Sequence, residues 1–120
     1  MKGKGSITTV NVTVEGEANK VNVTVAPWRI EIRAGKGKKI SWILNDPQGL
    51  TQGKLGVHNA GKLAPGEPNL PDEGPLHGQV SHGPFETATP AGHWCQYNIE
   101  IPMKDDEDIT IDPDYRVDPP

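Results

Sequence analysis

Five residues of this chain are the best equipped for chemistry: His58, His77, His82, His93 and Cys95, its four histidines and its single cysteine. Imidazole nitrogens and a thiolate are ligands for zinc and copper. His77-Gly-x-x-x-His82-Gly sets two imidazoles five residues apart on glycine-containing backbone that can bend both toward one ion. The five residues are therefore the candidate metal ligands. The bland reading, loop histidines that bind nothing and a buried structural thiol, is the one the residues favour, since no carboxylate or Cys-x-x-Cys partner pins the histidines and no second cysteine accompanies Cys95. The consecutive carboxylates of Asp105, Asp106, Glu107 and Asp108 lack the alternating oxygens and mid-loop glycine of an EF-hand and read as a solvated turn. Ser81 and His82 are adjacent, and neighbours on a strand point to opposite sides, so they do not pair as nucleophile and base. There is no Gly-x-Ser-x-Gly and no phosphate loop. The chain reads as a non-enzyme.

The elements that would position these residues are strands. Apolar residues recur at every second position in Val21, Val23, Val25, in Trp28, Ile30, Ile32, in Ile40, Trp42, Leu44, and again in Tyr97, Ile99, Ile101. Each run presents one oily face and one polar face, the pattern of a sheet packed on one side. Val10-Asn-Val-Thr-Val14 recurs as Val21-Asn-Val-Thr-Val25, with turn residues between, and predicts a hairpin of two equivalent strands. The next strand, residues 28–33, turns at Gly35-Lys-Gly37 into residues 38–44. No window carries apolar residues at helical spacing. The fold class predicted is all-β, a two-sheet antiparallel Greek-key sandwich of seven or eight short strands, with Trp28 and Trp42 both buried at the ends of alternating runs.

The 120 residues make one domain, 1–120. Val, Ile, Leu and Phe number 25, so the core is thin, while Gly and Pro number 26. Many of these breakers fall in residues 45–92, predicted to be a long irregular Gly/Pro-rich loop region with brief strand-like pieces at 54–57, 79–80 and 85–87. Regular alternation returns at 93–101, followed by a turn at 104–108 and short strands at 109–111 and 115–117.

Three stretches carry a resemblance to a known family. Gly35-x-Gly-x-Lys-Ile40-Ser-Trp42 resembles the cupredoxin pattern of a glycine turn leading into an alternating strand that ends in an aromatic. Gly92-His-Trp-x-x-Tyr97-x-Ile99-x-Ile101 is similar to a late strand of that fold, and Gly56-Val-His58-Asn59 to the segment around its first copper histidine. The resemblance covers residues 20–60 and 90–112 and implies a cupredoxin-like sandwich; immunoglobulin-like sandwiches share the same strand grammar and are the alternative. A blue-copper site implied by the family needs two imidazoles, a thiolate and a weak axial ligand. Cys95 and Met103 have a similar spacing, but Asn98 stands where the second histidine is expected, and Cys95 shares parity with Tyr97, Ile99 and Ile101. The expectation is therefore no cofactor, with copper as the alternative, in an electron-transfer or metal-carrier protein.

The net charge of −4 is unevenly spread. Residues 1–45 carry eight cations against three acids, and residues 96–120 carry two cations against eight acids. Such a charge dipole either pairs internally, as neighbours in one sheet, or steers contact between copies. Nucleic acid is excluded as a partner, because the cations are few and not interleaved with aromatics, and the acidic end would repel phosphate. No apolar run approaches the ~20 residues of a membrane span, and the start lacks the apolar core of a signal peptide, so the chain as it stands reads as cytoplasmic, or as exported if a leader has been trimmed. The sequons at Asn11 and Asn22 read as polar strand faces. The functional expectation is an interaction or structural module that meets a protein partner or another copy.

Overall fold

Valine at alternate positions, with Thr and Asn between, favours extended backbone because β-branched side chains fit a pleated, half-buried surface. β1 (Ile7–Glu17) and β2 (Lys20–Ala26) accordingly form the predicted hairpin, in a register that sets Val14 against Val23 and Val12 against Val25. Here a computed structural model describes residues 7–17, 20–59, 76–85, 88–89 and 94–119. The remaining strands are β3 (Arg29–Arg33), β4 (Lys39–Asn45), β5 (Lys54–Asn59), β6 (Leu76–His77), β7 (Gln79–His82), β8 (Cys95–Ile101), β9 (Ile109–Ile111) and β10 (Asp114–Asp118). The described residues hold ten strands rather than seven or eight, and no helix.

Two sheets form. The first has the order β2-β1-β4-β7, the second β3-β10-β8-β5-β6, with β9 on the β10 side of β8. β9 and β10 act as two halves of one partner for β8, interrupted at Asp112 and Pro113, where the Tyr97 N–H still donates to the Pro113 carbonyl at 3.0 Å. The expectation of purely antiparallel sheets is corrected, because β1 runs parallel to β4 and β3 parallel to β10. The cause is visible at the glycine turn. It forms where predicted, with Gly37 at φ 75°, but it carries the chain from β3 in one sheet to β4 in the other rather than closing a hairpin.

Inward residues of both sheets make one core. Val10, Val12, Val14, Ile40 and Trp42 from the first sheet face Leu55, Tyr97, Ile99, Ile101 and Val117 from the second, all essentially fully buried. Burying each aliphatic side chain of this kind contributes about 1.5–3 kcal/mol. Val10, Val12 and Val14 are completely buried, whereas Val21 and Val23 are half-buried, because β1 lies between two strands and β2 is an edge. The burial predicted for Trp42 is found, at 1% exposure. That predicted for Trp28 is not: it is 48% exposed. It precedes the first β3–β10 pair, Arg29 with Asp114, at the corner where the chain passes between sheets, so parity with Ile30 has no facing strand to act through.

Within the predicted loop region, β5, β6 and β7 are ordered strands, and residues 46–53 are tied down. The Asp46 carboxylate accepts from the Leu50 and Thr51 N–H groups and the Thr51 hydroxyl, at 2.7–2.9 Å. Phe85 lies outside any strand, and the rest of the predicted piece at 85–87 falls outside the described residues, as do residues 60–75.

Candidate interaction surfaces

Pairing decides which candidate ligands can meet. His58 in β5 pairs with Asn98 of β8 and so shares the outward face of that sheet, where its Nε2 lies 4.0 Å from Glu100 Oε1. Cys95 has the opposite parity on β8 and is buried in the core. Side chains on opposite faces of one sheet cannot ligate one ion without a register slip. His82 belongs to the other sheet; it pairs with core-facing Ile40, and its ring meets Phe85 edge-on at 5.5 Å between centroids. His77 pairs with Lys54 at the β6 edge, and His93 lies outside the described residues. Cys95 and Ile101 span the whole of β8, about 20 Å at ~3.3 Å per residue, and Met103 lies beyond that end, buried and bridged to Thr51. The structure therefore does not bring His58, Cys95 and Met103 together. Among the described residues no three His, Cys, Asp or Glu side chains are grouped to hold a metal.

The outer face of the second sheet carries an ordered charge ladder. Parallel pairing of β3 with β10 sets Arg29 beside Asp114, Glu31 beside Arg116 and Arg33 beside Asp118, opposite signs at every step. Arg29 Nε donates to Asp114 at 3.3 Å, and Arg116 bonds both Glu31 and Asp118. These contacts, Glu31 first, raise the Arg116 pKa further above its ordinary value. Trp94, one residue before β8, has the Arg29 and Arg116 guanidiniums 4.8 and 4.7 Å from its ring centroid, within cation–π range. No linear motif announces this cluster, because it draws on three separate segments. Its signal was the complementary alternation of Arg-Ile-Glu-Ile-Arg in residues 29–33 and Asp-Tyr-Arg-Val-Asp in residues 114–118. Part of the charge dipole is thus neutralised internally, between neighbouring strands.

The other charges of the dipole sit at the two ends of the strands. β1 and β4 start together, with Ile7 beside Lys39, and run parallel toward residues 46–53. At their starting end Lys36, Lys38 and Lys39 follow Arg33, the last rung of the ladder, and a cleft of about 140 Å³ there is lined by Thr8, Glu31, Ile32, Arg33, Lys38 and Lys39. At the far end, Asp105, Asp106, Glu107 and Asp108 are all exposed on the β8–β9 turn. That turn is held firmly: the Met103 N–H donates to Asp108 at 3.1 Å, the Lys104 N–H to the Leu50 carbonyl, and the Gln52 side-chain amide to the Met103 carbonyl. Burial of Asp46 beside it raises the carboxyl pKa, but the hydrogen bonds from Thr51 and Leu50 and the charge of Lys104 outweigh burial and leave it below the ordinary carboxylate value.

No protein-family model matches the chain, and no curated protein matches it. Its function must be argued from these surfaces.

Proposed function

We propose that this chain is a non-enzymatic interaction module, a cupredoxin-like Greek-key sandwich working without copper, that associates with other copies of itself through oppositely charged ends. The observation that carries the proposal is the segregation of charge outside the internal ladder: exposed Lys36 and Lys39 at the starting end of β4, and four consecutive exposed carboxylates at the opposite end. The ends are separated by at least the length of β4, roughly 20 Å at ~3.3 Å per residue. Screening shortens the reach of exposed charges to ~10 Å at 0.1 M salt, so the two ends do not neutralise each other within one copy. Each is left to attract a complementary surface, which steers encounter and fixes orientation. The Greek-key, cupredoxin-like part of the reading is supported by consecutive strands that repeatedly change sheet, β2 to β3, β3 to β4 and β4 to β5.

Analytical ultracentrifugation at low and high salt tests the proposal. Association that weakens as salt rises is the expected result; a monomer at every salt concentration overturns self-association.

A further inference from the structure

We infer that the acidic turn between β8 and β9 of one copy seats in the basic cleft at the start of β4 of the next, giving an open head-to-tail array. The inference rests on the self-association reading above and goes beyond it by naming both halves of the contact. Its occupant is a second copy of this chain, chosen on charge complementarity. The turn exposes Asp105, Asp106 and Glu107, while the Asp108 carboxylate accepts from the Met103 N–H. The cleft, at about 140 Å³, has room for a carboxylate side chain but not for a folded ligand, and exposed Arg33 and Lys39 stand on its wall with exposed Lys36 beside it. Two acids stand near these cations, Glu31 on the wall and Asp118 facing Arg33 across the β3–β10 pairing, and Arg116 engages both.

Both halves are stiff. The turn is braced against residues 46–53 through Leu50, Gln52 and Met103. The cleft side is braced by the Phe85 N–H donating to the Lys38 carbonyl at 2.8 Å and the Gly35 N–H donating to the Phe85 carbonyl at 3.0 Å. Preformed surfaces lose little conformational entropy on docking. Because donor and acceptor surfaces are different patches, the contact is heterologous: it builds a filament, or a ring where the rotation closes, and not a two-fold dimer.

The test is a charge swap followed by sedimentation at low salt. One variant carries R33E and K39E, the other D105K and D106K, each checked by circular dichroism for an unchanged fold. Each variant alone places like charges on turn and cleft, and the expected result is a monomer. An equimolar mixture restores opposite charges at both kinds of junction, and the expected result is association recovered to the wild-type level. If wild type is monomeric, the self-association reading fails and this contact with it. If wild type associates in a salt-sensitive manner but the single variants associate equally well, or the mixture stays monomeric, the turn-in-cleft contact is overturned while self-association stands. Should a variant misfold, the milder pair K39Q and D106N replaces it, with a partial loss of association for each expected and an unchanged value overturning the contact.

Discussion

Trp42 and Tyr97 meet across the gap between the two sheets, the indole Nε1–H donating to the phenol oxygen at 3.0 Å with the ring centroids 5.7 Å apart. Both side chains are buried, and Tyr97 continues edge-on into Tyr115 at 5.8 Å, which leads to Phe85. The core, thin in aliphatic residues, is thus spanned by an aromatic row that links strands of both sheets. Burial drives the Tyr97 pKa well above that of a free phenol; the hydrogen bond from Trp42 offsets this in part, and the charge of Asp114 adds to it. The hydroxyl therefore stays neutral and keeps its acceptor role.

Removing that acceptor should be costly for its size. Tyr97→Phe keeps the ring but leaves a buried indole N–H without its partner, a loss of about 1–3 kcal/mol. Trp42→Ala also opens a cavity and should cost about 3–5 kcal/mol. Urea unfolding checks both, with the midpoint falling and the m-value unchanged. A Tyr97→Phe change without effect would show that the hydrogen bond contributes nothing net.

The position of Trp42 was legible because Ile40 and Trp42 belong to one alternating run, and alternation reports which face a residue occupies. The same rule misplaced Trp28, since parity buries a side chain only where another strand lies opposite. Alternation also says nothing about partners, which is why the parallel pairings of β1 with β4 and β3 with β10 were not foreseen. The charges at Arg29, Glu31 and Arg33 against Asp114, Arg116 and Asp118 did encode the second pairing, through the preference for opposite signs on facing positions. The metal candidates illustrate the converse. Spacing along the chain could propose His58 and Cys95 as ligands, but only the pairing of β5 with β8 reveals that they point away from each other.

Exposure of Trp28 gives a direct expectation. Trp28→Ala should change stability by less than ~1 kcal/mol, as surface substitutions usually do. In the wild-type protein, acrylamide should quench Trp28 most readily, half-buried Trp94 less and buried Trp42 least, and Trp28→Ala should remove the most readily quenched component. A loss of stability comparable to that of Trp42→Ala would place Trp28 in the core after all.

Asp46 sets an acid dependence. Its folded-state pKa is depressed, so the stability it contributes is fully present above its unfolded value, ~3.9, and is lost as pH falls through the lower folded value. Asp46→Asn should therefore be less stable than wild type at neutral pH, by no more than about 1 kcal/mol because the carboxylate is largely solvated. The gap should close in strongly acidic solution, where wild type is protonated too. Thermal unfolding of both proteins across the acid range reads it; a gap constant with pH would mean that the charge is irrelevant and only the geometry of the loop matters.

Gly83 ties the fold to the basic end. Its φ is +152°, and a Cβ placed there would lie 2.7 Å from the Lys38 carbonyl oxygen and 3.0 Å from the Lys39 Cα, both backbone atoms that cannot step aside cheaply. Gly53 has a positive φ as well, +76°, but open space around the added carbon. Gly83→Ala combines a disfavoured conformation, worth about 1–3 kcal/mol, with a clash, whereas Gly53→Ala carries only the conformational part, about 1–2 kcal/mol. The first should therefore be the more destabilising in urea unfolding. It should also weaken salt-sensitive association at temperatures where the domain remains folded, because the displaced segment bears Lys38 and Lys39. Equal stability losses with equal association would mean that the chain at Lys38 and Lys39 shifts freely, and a cleft built on so mobile a segment would not be preformed.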